Sequence, residues 1–173
     1  MSEHRLFIAL PLPDPIKDLL SEFQANIQTD IKWIPRDNLH ITLAFIGATP
    51  TERISGINSV LQKISESTTN FSLETQTIKV VKSASGMIWV TFQANNSFND
   101  LALAIREKLN LSEKRKPLPH INLARLKHGY LENPLGETKF EVVTIPFAKM
   151  ELWESELTHS GPQYKVISSF FLN

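Results

Sequence analysis

Two hydrophobic patterns run along the chain and predict a mixture of strands and helices. Apolar residues spaced three and four apart predict three helices, which begin near Asp14, Thr51 and Phe98. Short apolar runs bounded by proline, glycine or polar clusters are typical of strands. Such runs occur at Arg5–Leu12, Leu39–Ile46, Phe71–Val81, Met87–Phe92, Leu118–Leu126, Phe140–Ile145, Phe147–Leu157 and Tyr164–Phe171. Pro146 is expected to break or bulge the pairing around it. The mixed order of elements indicates an α+β fold.

A repeated segment is the most informative part of the sequence. Residues 39–45 read LHITLAF and residues 119–125 read PHINLAR, so both contain His-Ile-x-Leu-Ala with a small polar residue at x. The two histidines, His40 and His120, are 80 residues apart, which is about half the chain. The order of elements around them predicts two related lobes within one domain that covers residues 1–173.

The direction of side chains in a strand gives this repeat a chemical meaning. Successive strand residues face opposite sides, so His40 and Thr42 share one face, and His120 and Asn122 share the equivalent face. The apolar residues between them form the back of each strand, which can pack under helices. If the two lobes face each other, two imidazoles and two neutral hydrogen-bond donors line one groove.

This set of side chains suits proton transfer at a phosphate. Imidazole has an unperturbed pKa near 6.5, so one histidine can act as a base while the other acts as an acid. Thr42 and Asn122 can donate hydrogen bonds to the phosphate oxygens on which charge grows in the transition state. A zinc site is the next alternative, but the sequence lacks HExxH, a nearby third ligand and cysteine. A P-loop is also absent.

Composition narrows the functional class. Eighteen basic residues balance eighteen acidic ones, which argues against a protein that coats nucleic acid but allows one that acts on a nucleic-acid end. The absence of cysteine excludes disulfides and cysteine nucleophiles. The chain starts without a recognisable signal peptide and has no apolar run long enough to cross a membrane, so a cytoplasmic location is predicted.

The sequence resembles the 2H phosphoesterase superfamily, and within it the RNA 2′,3′-cyclic phosphodiesterases, also called 2′-5′ RNA ligases. The resemblance spans nearly the whole chain. RLFIALPLP is similar to the family's first strand, WIPRDNLHITLAFIG and LPHINLARL to its two motif blocks, and ELWESELTHSGPQYKVISSFFL to its closing strands, which include Ser155, Gly161 and Tyr164. The second motif departs from the family pattern because Asn122 stands where threonine or serine is usual.

The resemblance implies a bilobal α+β fold, with an antiparallel sheet and outer helices in each lobe and the active-site groove between the sheets. It implies that His40 is the proton donor, that His120 is the proton acceptor, and that Thr42 and Asn122 hold the phosphate. No metal and no cofactor are implied. The implied substrate is an RNA with a 2′,3′-cyclic phosphate end, tRNA halves among the candidates, and the implied product is a 2′-phosphomonoester. Reversible 2′-5′ RNA ligation is a second implied reaction. A monomer is expected.

Two further residues lie five positions after the histidines. The resemblance suggests that Phe45 stacks on a base and that Arg125 contacts phosphate. Ideal strand alternation, however, puts both on the back face, where Phe45 would be a core residue and Arg125 a strand-end residue. For Phe45 both interpretations stay open, whereas Arg125 is favoured as a ligand contact because a buried unpaired guanidinium is costly.

Several assignments remain open. The basic run Lys114–Lys116 can hold RNA backbone or form a solvated loop. Trp33 and Trp153 are predicted to be packing residues, and His4, His128 and His159 to be surface residues. A different small cyclic phosphate, a 2′-5′-linked oligonucleotide and a non-catalytic module that binds RNA ends are the alternatives to the implied activity.

Overall fold

The structure, a computed structural model, describes residues 3–27, 31–81, 86–126, 135, 140–159 and 161–173. Within these residues the α-helices are Asp14–Ala25 (α1), Ile54–Glu66 (α2) and Asn96–Lys108 (α3). The strands are Glu3–Pro11 (β1), Lys32–Trp33 (β2), His40–Pro50 (β3), Phe71–Val81 (β4), Met87–Phe92 (β5), His120–Arg125 (β6), Thr144–Phe147 (β7), Lys149–Thr158 (β8) and Gly161–Phe171 (β9). The predicted α+β class is confirmed. None of the helices in the described ranges is both long and apolar enough to cross a membrane.

The predicted strand at Phe140–Ile145 is wrong in its first part, because β7 begins only at Thr144. The preceding residue, Val143, accepts from the backbone N–H of Thr75 at 2.9 Å but donates its own N–H to the side-chain oxygen of Thr75 at 2.8 Å, so a side chain replaces one of the two backbone bonds there. Pro146 does not break the strand. It lies inside β7 opposite Ser72, and since β7 is an edge strand, the missing N–H can face away from the sheet.

The strands form one antiparallel sheet that is symmetric about its centre. The order is β7-β4-β5-β6-β3-β1-β8-β9, so four strands lie on each side of the contact between β6 and β3. The two central strands pair at Ile41 and Ile121. β2 pairs with the far end of β6, at Ala124 and Arg125. The strands that carry the repeated segment therefore meet in the middle of the sheet.

The register shows that the repeat is longer than the two histidine segments. Phe7 pairs with Phe45 and Ala9 pairs with Thr42. In the other half Met87 pairs with Arg125 and Trp89 pairs with Asn122. These four pairs match one another when 80 is added to each residue number. The β1–β3 pair and the β5–β6 pair are therefore equivalent units, a relation that becomes visible only when the strands are aligned in space.

Both histidine strands contain a β-bulge at the same place. The register shifts at Leu43 in β3 and at Leu123 in β6, three residues after the histidine in each case. The burial pattern is correspondingly identical over the six residues from histidine onward, with two adjacent buried residues followed by an exposed one. Backbone N–H of Ile34 donates to Leu123 O at 2.8 Å, and the Gln24 side chain donates to it at 3.2 Å, so the bulged carbonyl is satisfied.

The main core lies behind the histidine face. Ile41 and Ile121 are fully buried there, and α3 packs against β3 while α2 packs against β8 and β9. A second, small cluster lies on the opposite, front face and contains Phe7, Ala9 and Trp153. The sheet is thus covered by helices on its back and by a few aromatic side chains on part of its front. The remainder of the front face is an open cleft.

Candidate active site

Four polar side chains surround the central pair of the sheet. Because Ile41 lies opposite Ile121 in an antiparallel pair, His40 lies opposite Asn122 and Thr42 lies opposite His120. All four point away from the buried isoleucines and line one cleft of about 580 Å³, which we call the histidine cleft. The two imidazoles are diagonal neighbours, which in a regular antiparallel pair are about 7–8 Å apart.

Aromatic rings enclose His40 on the β1, β8 and β9 side. The centroid of its ring lies 5.1 Å from that of Phe7, 5.1 Å from that of Trp153 and 5.3 Å from that of Tyr164. Its Nδ1 lies 2.6 Å from the backbone oxygen of Asn38, which can only accept, so Nδ1 carries a proton. Its Nε2 is therefore the atom available for chemistry in the neutral ring.

His120 is held by a similar backbone contact but a different aromatic one. Its Nδ1 donates to the backbone oxygen of Leu118 at 2.8 Å, which again leaves Nε2 for chemistry. The indole of Trp89 stacks on the imidazole with a centroid distance of 3.9 Å and an interplanar angle of 23°. One flat face of His120 is thus covered by a single ring from β5.

Burial favours the neutral form of both imidazoles. Desolvation lowers the pKa of His40 to about 4, with a further contribution from the nearby His120, while the contact with Asn38 acts in the opposite direction. Desolvation also lowers the pKa of His120, and the contact with Leu118 opposes it. Burial raises the pKa of Tyr164, although the charges of Arg125 and Arg5 act to lower it. Both histidines of the cleft are therefore weaker bases than free imidazole.

Thr42 and Asn122 differ in how they are engaged. The hydroxyl of Thr42 lies 3.1 Å from His40 Nε2, to which it donates when the ring is neutral. The side-chain oxygen of Asn122 is buried and has no hydrogen-bond partner among the described residues. An unpaired buried acceptor costs roughly 1–3 kcal/mol, which a bound ligand or water can recover. The departure at Asn122 therefore leaves the second half of the cleft with an unsatisfied polar group.

Phe45 and Arg125 both line the histidine cleft. The bulges explain why ideal alternation places them wrongly: one extra residue in each strand returns the fifth residue after the histidine to the front face. Phe45 is 65 % exposed, so the core interpretation is wrong. Arg125 is also exposed and acts electrostatically on Tyr164.

The cleft contains aromatic residues that sequence reasoning did not assign to it. Phe7 lies on β1, next to β3, and contacts His40. Trp89 lies on β5, next to β6, and stacks on His120. The sequence does contain a signal for these two residues. The histidine repeat has a spacing of 80 residues, and the same spacing relates β1 to β5. Ser155 and Tyr164 line the same cleft, whereas Gly161 opens β9 with φ of +127°, a conformation that favours glycine.

The remaining assignments can be compared with their surroundings. Trp153 is buried as predicted, and Trp33 is half-buried against the main core. His159 is exposed, as predicted. His4 is less free than a surface residue, because its Nδ1 lies 2.5 Å from a carboxylate oxygen of Glu154. His128 lies outside the described residues. Among the described residues, no three His, Asp or Glu side chains form a cluster that could hold a metal ion.

Comparison with known proteins finds similar sequences and similar folds. A family model described as LigT-like phosphoesterase matches residues 10–89, which include the first histidine motif. A protein of Methanocaldococcus jannaschii named RNA 2′,3′-cyclic phosphodiesterase is 28% identical over 96% of this chain and 99% of its own length. The protein of the same name from Thermus thermophilus is 28% identical over 97% of this chain and 90% of its own.

Solved structures agree with the fold. The E. coli LigT structure in complex with NADP+ superposes with a TM-score of 0.80 at 21% identity, with 99% of each chain covered. LigT in complex with 3′-AMP gives a TM-score of 0.77 at 22% identity, again over 99% of both chains. The chain therefore has the fold of the LigT structures, a curled antiparallel sheet with few helices. Over its first half this chain is thus similar to the LigT-like phosphoesterases, and over nearly its whole length to proteins named RNA 2′,3′-cyclic phosphodiesterase.

Proposed function

We propose that this protein hydrolyses the 2′,3′-cyclic phosphate at the end of an RNA chain and releases a 2′-phosphomonoester. The observation that carries the proposal is the register at Ile41 and Ile121, which sets His40 and His120 diagonally across one cleft with Thr42 and Asn122 between them. The names of the relatives support the substrate class.

The proposed reaction needs one proton acceptor and one proton donor. Nε2 of His120 removes a proton from water as the water oxygen bonds to phosphorus. The bond between phosphorus and the 3′ oxygen breaks, and Nε2 of His40 delivers a proton to that oxygen. Solvent then restores both imidazoles to their starting states. The backbone contacts of Asn38 and Leu118 fix the Nδ1 protons, so each ring exposes Nε2 to the substrate.

The lowered pKa of His40 bears on its role as proton donor. A proton donor must be charged, yet burial lowers the pKa of His40 to about 4. The negative charge of a bound phosphodiester favours imidazolium and raises that pKa in the complex. We therefore expect the optimum of kcat/KM, which reflects the free protein, to lie below pH 6.5, and the optimum of kcat to lie higher.

Polar side chains of the cleft would hold the phosphate without a metal ion. The Thr42 hydroxyl and the Asn122 amide can donate to the non-bridging oxygens, and Arg125 adds a positive charge at the edge of the cleft. If the 5′-hydroxyl of a second RNA replaces water, the same two proton transfers join the chains through a 2′-5′ linkage. Ligation is then the second reaction of the same site.

The test is a product assay with a defined RNA that ends in a 2′,3′-cyclic phosphate. Chromatography against authentic standards should show only the 2′-phosphomonoester, with the same yield in EDTA. Release of the 3′-phosphate alone would reverse the proposed pose of the ribose. Loss of activity in EDTA with recovery in Zn²⁺ would replace the two-histidine mechanism with a metal site.

A further inference from the structure

Two grooves that differ in electrostatic character adjoin the histidine cleft. One, of about 1060 Å³, shares Phe45, Met87, Trp89 and His120 with that cleft, so the two are continuous across four residues. The other, of about 580 Å³, shares only Tyr164 with it among the described lining residues. We call them the wide groove and the narrow groove. An RNA chain whose last phosphate lies between the histidines can leave the cleft along either one.

Charge distinguishes the grooves. The wide groove is lined by three cationic side chains, Arg53, Lys114 and Arg115, and by one carboxylate, Glu113, among the residues described. The described lining of the narrow groove contains more acidic than basic groups, namely Asp14, Asp37 and Glu151 against Lys17 and Lys149. Lys149 is moreover paired with Glu151 at 2.7 Å. The carboxylates of the narrow groove are also paired, Asp14 and Asp37 with Arg36 and Glu151 with that same Lys149. The excess of cationic side chains over carboxylates therefore makes the wide groove the more attractive of the two for a polyanion.

Lys114 and Arg115 of the wide groove belong to the loop between α3 and β6, and Arg106 holds this loop in place. Arg106 of α3, whose side chain is only 11% exposed, donates to the backbone oxygen of Arg115 at 2.5 Å. The same guanidinium lies 3.5 Å from Glu113 and partly neutralises that carboxylate. Lys114 and Arg115 are themselves exposed, so their charged ends are free to meet a ligand from solvent. Arg106 therefore holds the loop from below while the loop's own cations line the groove.

The loop also connects directly to the reacting centre. A smaller cavity of about 210 Å³ lies between them and is lined by Lys116 and Arg115 on one side and by Thr42 and His120 on the other. Phe45, with 65% of its surface exposed, lines the wide groove, this smaller cavity and the histidine cleft. A positively charged groove with an exposed aromatic ring is the arrangement that single-stranded nucleic acids prefer.

We propose that the wide groove binds the RNA immediately 5′ of the cyclic phosphate, with Arg53, Lys114 and Arg115 on the backbone phosphates. This inference rests on the proposed function and adds the groove that holds the nucleotides before the cyclic phosphate. The neutral net charge of the chain is no obstacle, because cationic side chains outnumber carboxylates along this groove. The terminal phosphate supplies the chemistry, and the preceding nucleotides supply affinity.

The experiment compares kcat/KM for a mononucleoside 2′,3′-cyclic phosphate with that for a single-stranded hexanucleotide with the same end. We expect the hexanucleotide to be preferred by about 10–100-fold at low salt, an estimate for a few phosphate contacts. In the triple variant Arg53→Gln, Lys114→Gln, Arg115→Gln this ratio should fall toward one. The slope of log kcat/KM against log salt for the hexanucleotide should become shallower by about 2, since each single-strand contact contributes about 0.7.

Lys17→Gln is the matched control, since it removes one cation from the narrow groove. It should leave the ratio unchanged. A ratio that falls in Lys17→Gln but not in the triple variant would place the RNA in the narrow groove and overturn the proposal. A ratio of one for the unaltered protein at low salt would also overturn it, and would favour a small cyclic phosphate as substrate.

Binding separates this inference from the proposed function. Fluorescence anisotropy with a labelled hexanucleotide that ends in a 2′-phosphate needs no catalysis. Tight, salt-dependent binding that the triple variant loses would support the groove even if the unaltered protein hydrolysed neither cyclic phosphate, in which case only the proposed function would fail. Binding that the triple variant retains would contradict the groove, whatever the outcome of the activity assay.

Discussion

The two halves of the histidine cleft share a backbone but differ in the environment they give their histidine. Ala9 and Trp89 occupy equivalent positions, opposite Thr42 and Asn122 respectively. The small Ala9 leaves room for rings from β8 and β9 around His40, whereas Trp89 itself stacks on the other histidine. A repeated scaffold can thus supply two imidazoles, and the side chains that differ between the halves, Ala9 against Trp89 and Phe7 against Met87, give them different surroundings.

The difference has an electrostatic consequence. Three rings at about 5 Å bury His40, and its pKa falls to about 4. The pKa of His120, which lies beneath one stacked ring, is also lowered. Acid and base catalysis require two groups that are in different protonation states at one pH. The asymmetry alone does not assign the roles, because burial lowers the pKa of His40, the proposed donor, and the charge of the bound phosphate must raise that pKa again.

Removal of either histidine should have the largest effect. His40→Ala and His120→Ala should each lower turnover by about 10²–10⁴, the range for one proton-transfer role. The two can be told apart with an aryl phosphodiester, whose phenolate leaves without protonation. His40→Ala should recover much of its rate on that substrate, and His120→Ala should not. The exposed His159→Ala is the control. Equal behaviour of the two variants on both substrates would contradict the division of roles.

The second largest effect should come from the polar pair. Asn122→Ala should lower turnover by about 10²–10³ if the amide donates to phosphate, by analogy with oxyanion-hole donors. Asn122→Thr should retain or improve turnover, because it copies Thr42 and removes the buried unpaired oxygen. Turnover of one cyclic-phosphate substrate by the three proteins is the measurement. Full activity in Asn122→Ala would mean that position 122 does not hold phosphate.

The buried state of His40 should also appear in stability. Its folded-state pKa of about 4 lies below the value of about 6.5 expected in the unfolded chain, so the unfolded chain takes up the proton first as pH falls. The free energy of unfolding should therefore decrease between pH 6.5 and pH 4, by up to about 3 kcal/mol from this group. Urea unfolding at several pH values measures it. His40→Gln should flatten that part of the curve, and an unchanged slope would contradict the shift.

The smallest expected effect tests the indole directly. Trp89→Ala makes the second half resemble the first at this position and exposes His120 to water, so the pKa of His120 should rise toward its ordinary value. Trp89→Phe keeps a stacked ring and should shift it less. NMR titration of the His120 ring reports both. If the pKa of His120 were instead lower in Trp89→Ala, the attraction between indole and imidazolium would outweigh desolvation.

Most of the fold and the centre of the cleft could be predicted from the sequence because they depend on local patterns. Strand alternation placed His40 and Thr42 on one face, and the bounds of β4 and β5 agree with their apolar runs. Phe45 could not be placed, since a bulge changes the alternation and depends on partners far along the chain. The stacked indole of Trp89 depends likewise on a pairing with Asn122 that only the sheet register reveals.

The order of the strands has a consequence for how the molecule is made. β4 to β7 fall within one continuous stretch of chain, whereas the half that contains His40 takes β1 and β3 from the beginning of the chain and β8 and β9 from its end. β1 pairs with β8 through Phe7 and Trp153, residues separated by nearly the whole sequence. Contacts between residues so far apart in sequence form slowly. During synthesis they also have to wait until both segments have left the ribosome. During synthesis the His120 half can therefore assemble first. His40 stays open to water until the last strands, which bring Trp153 and Tyr164, have been made.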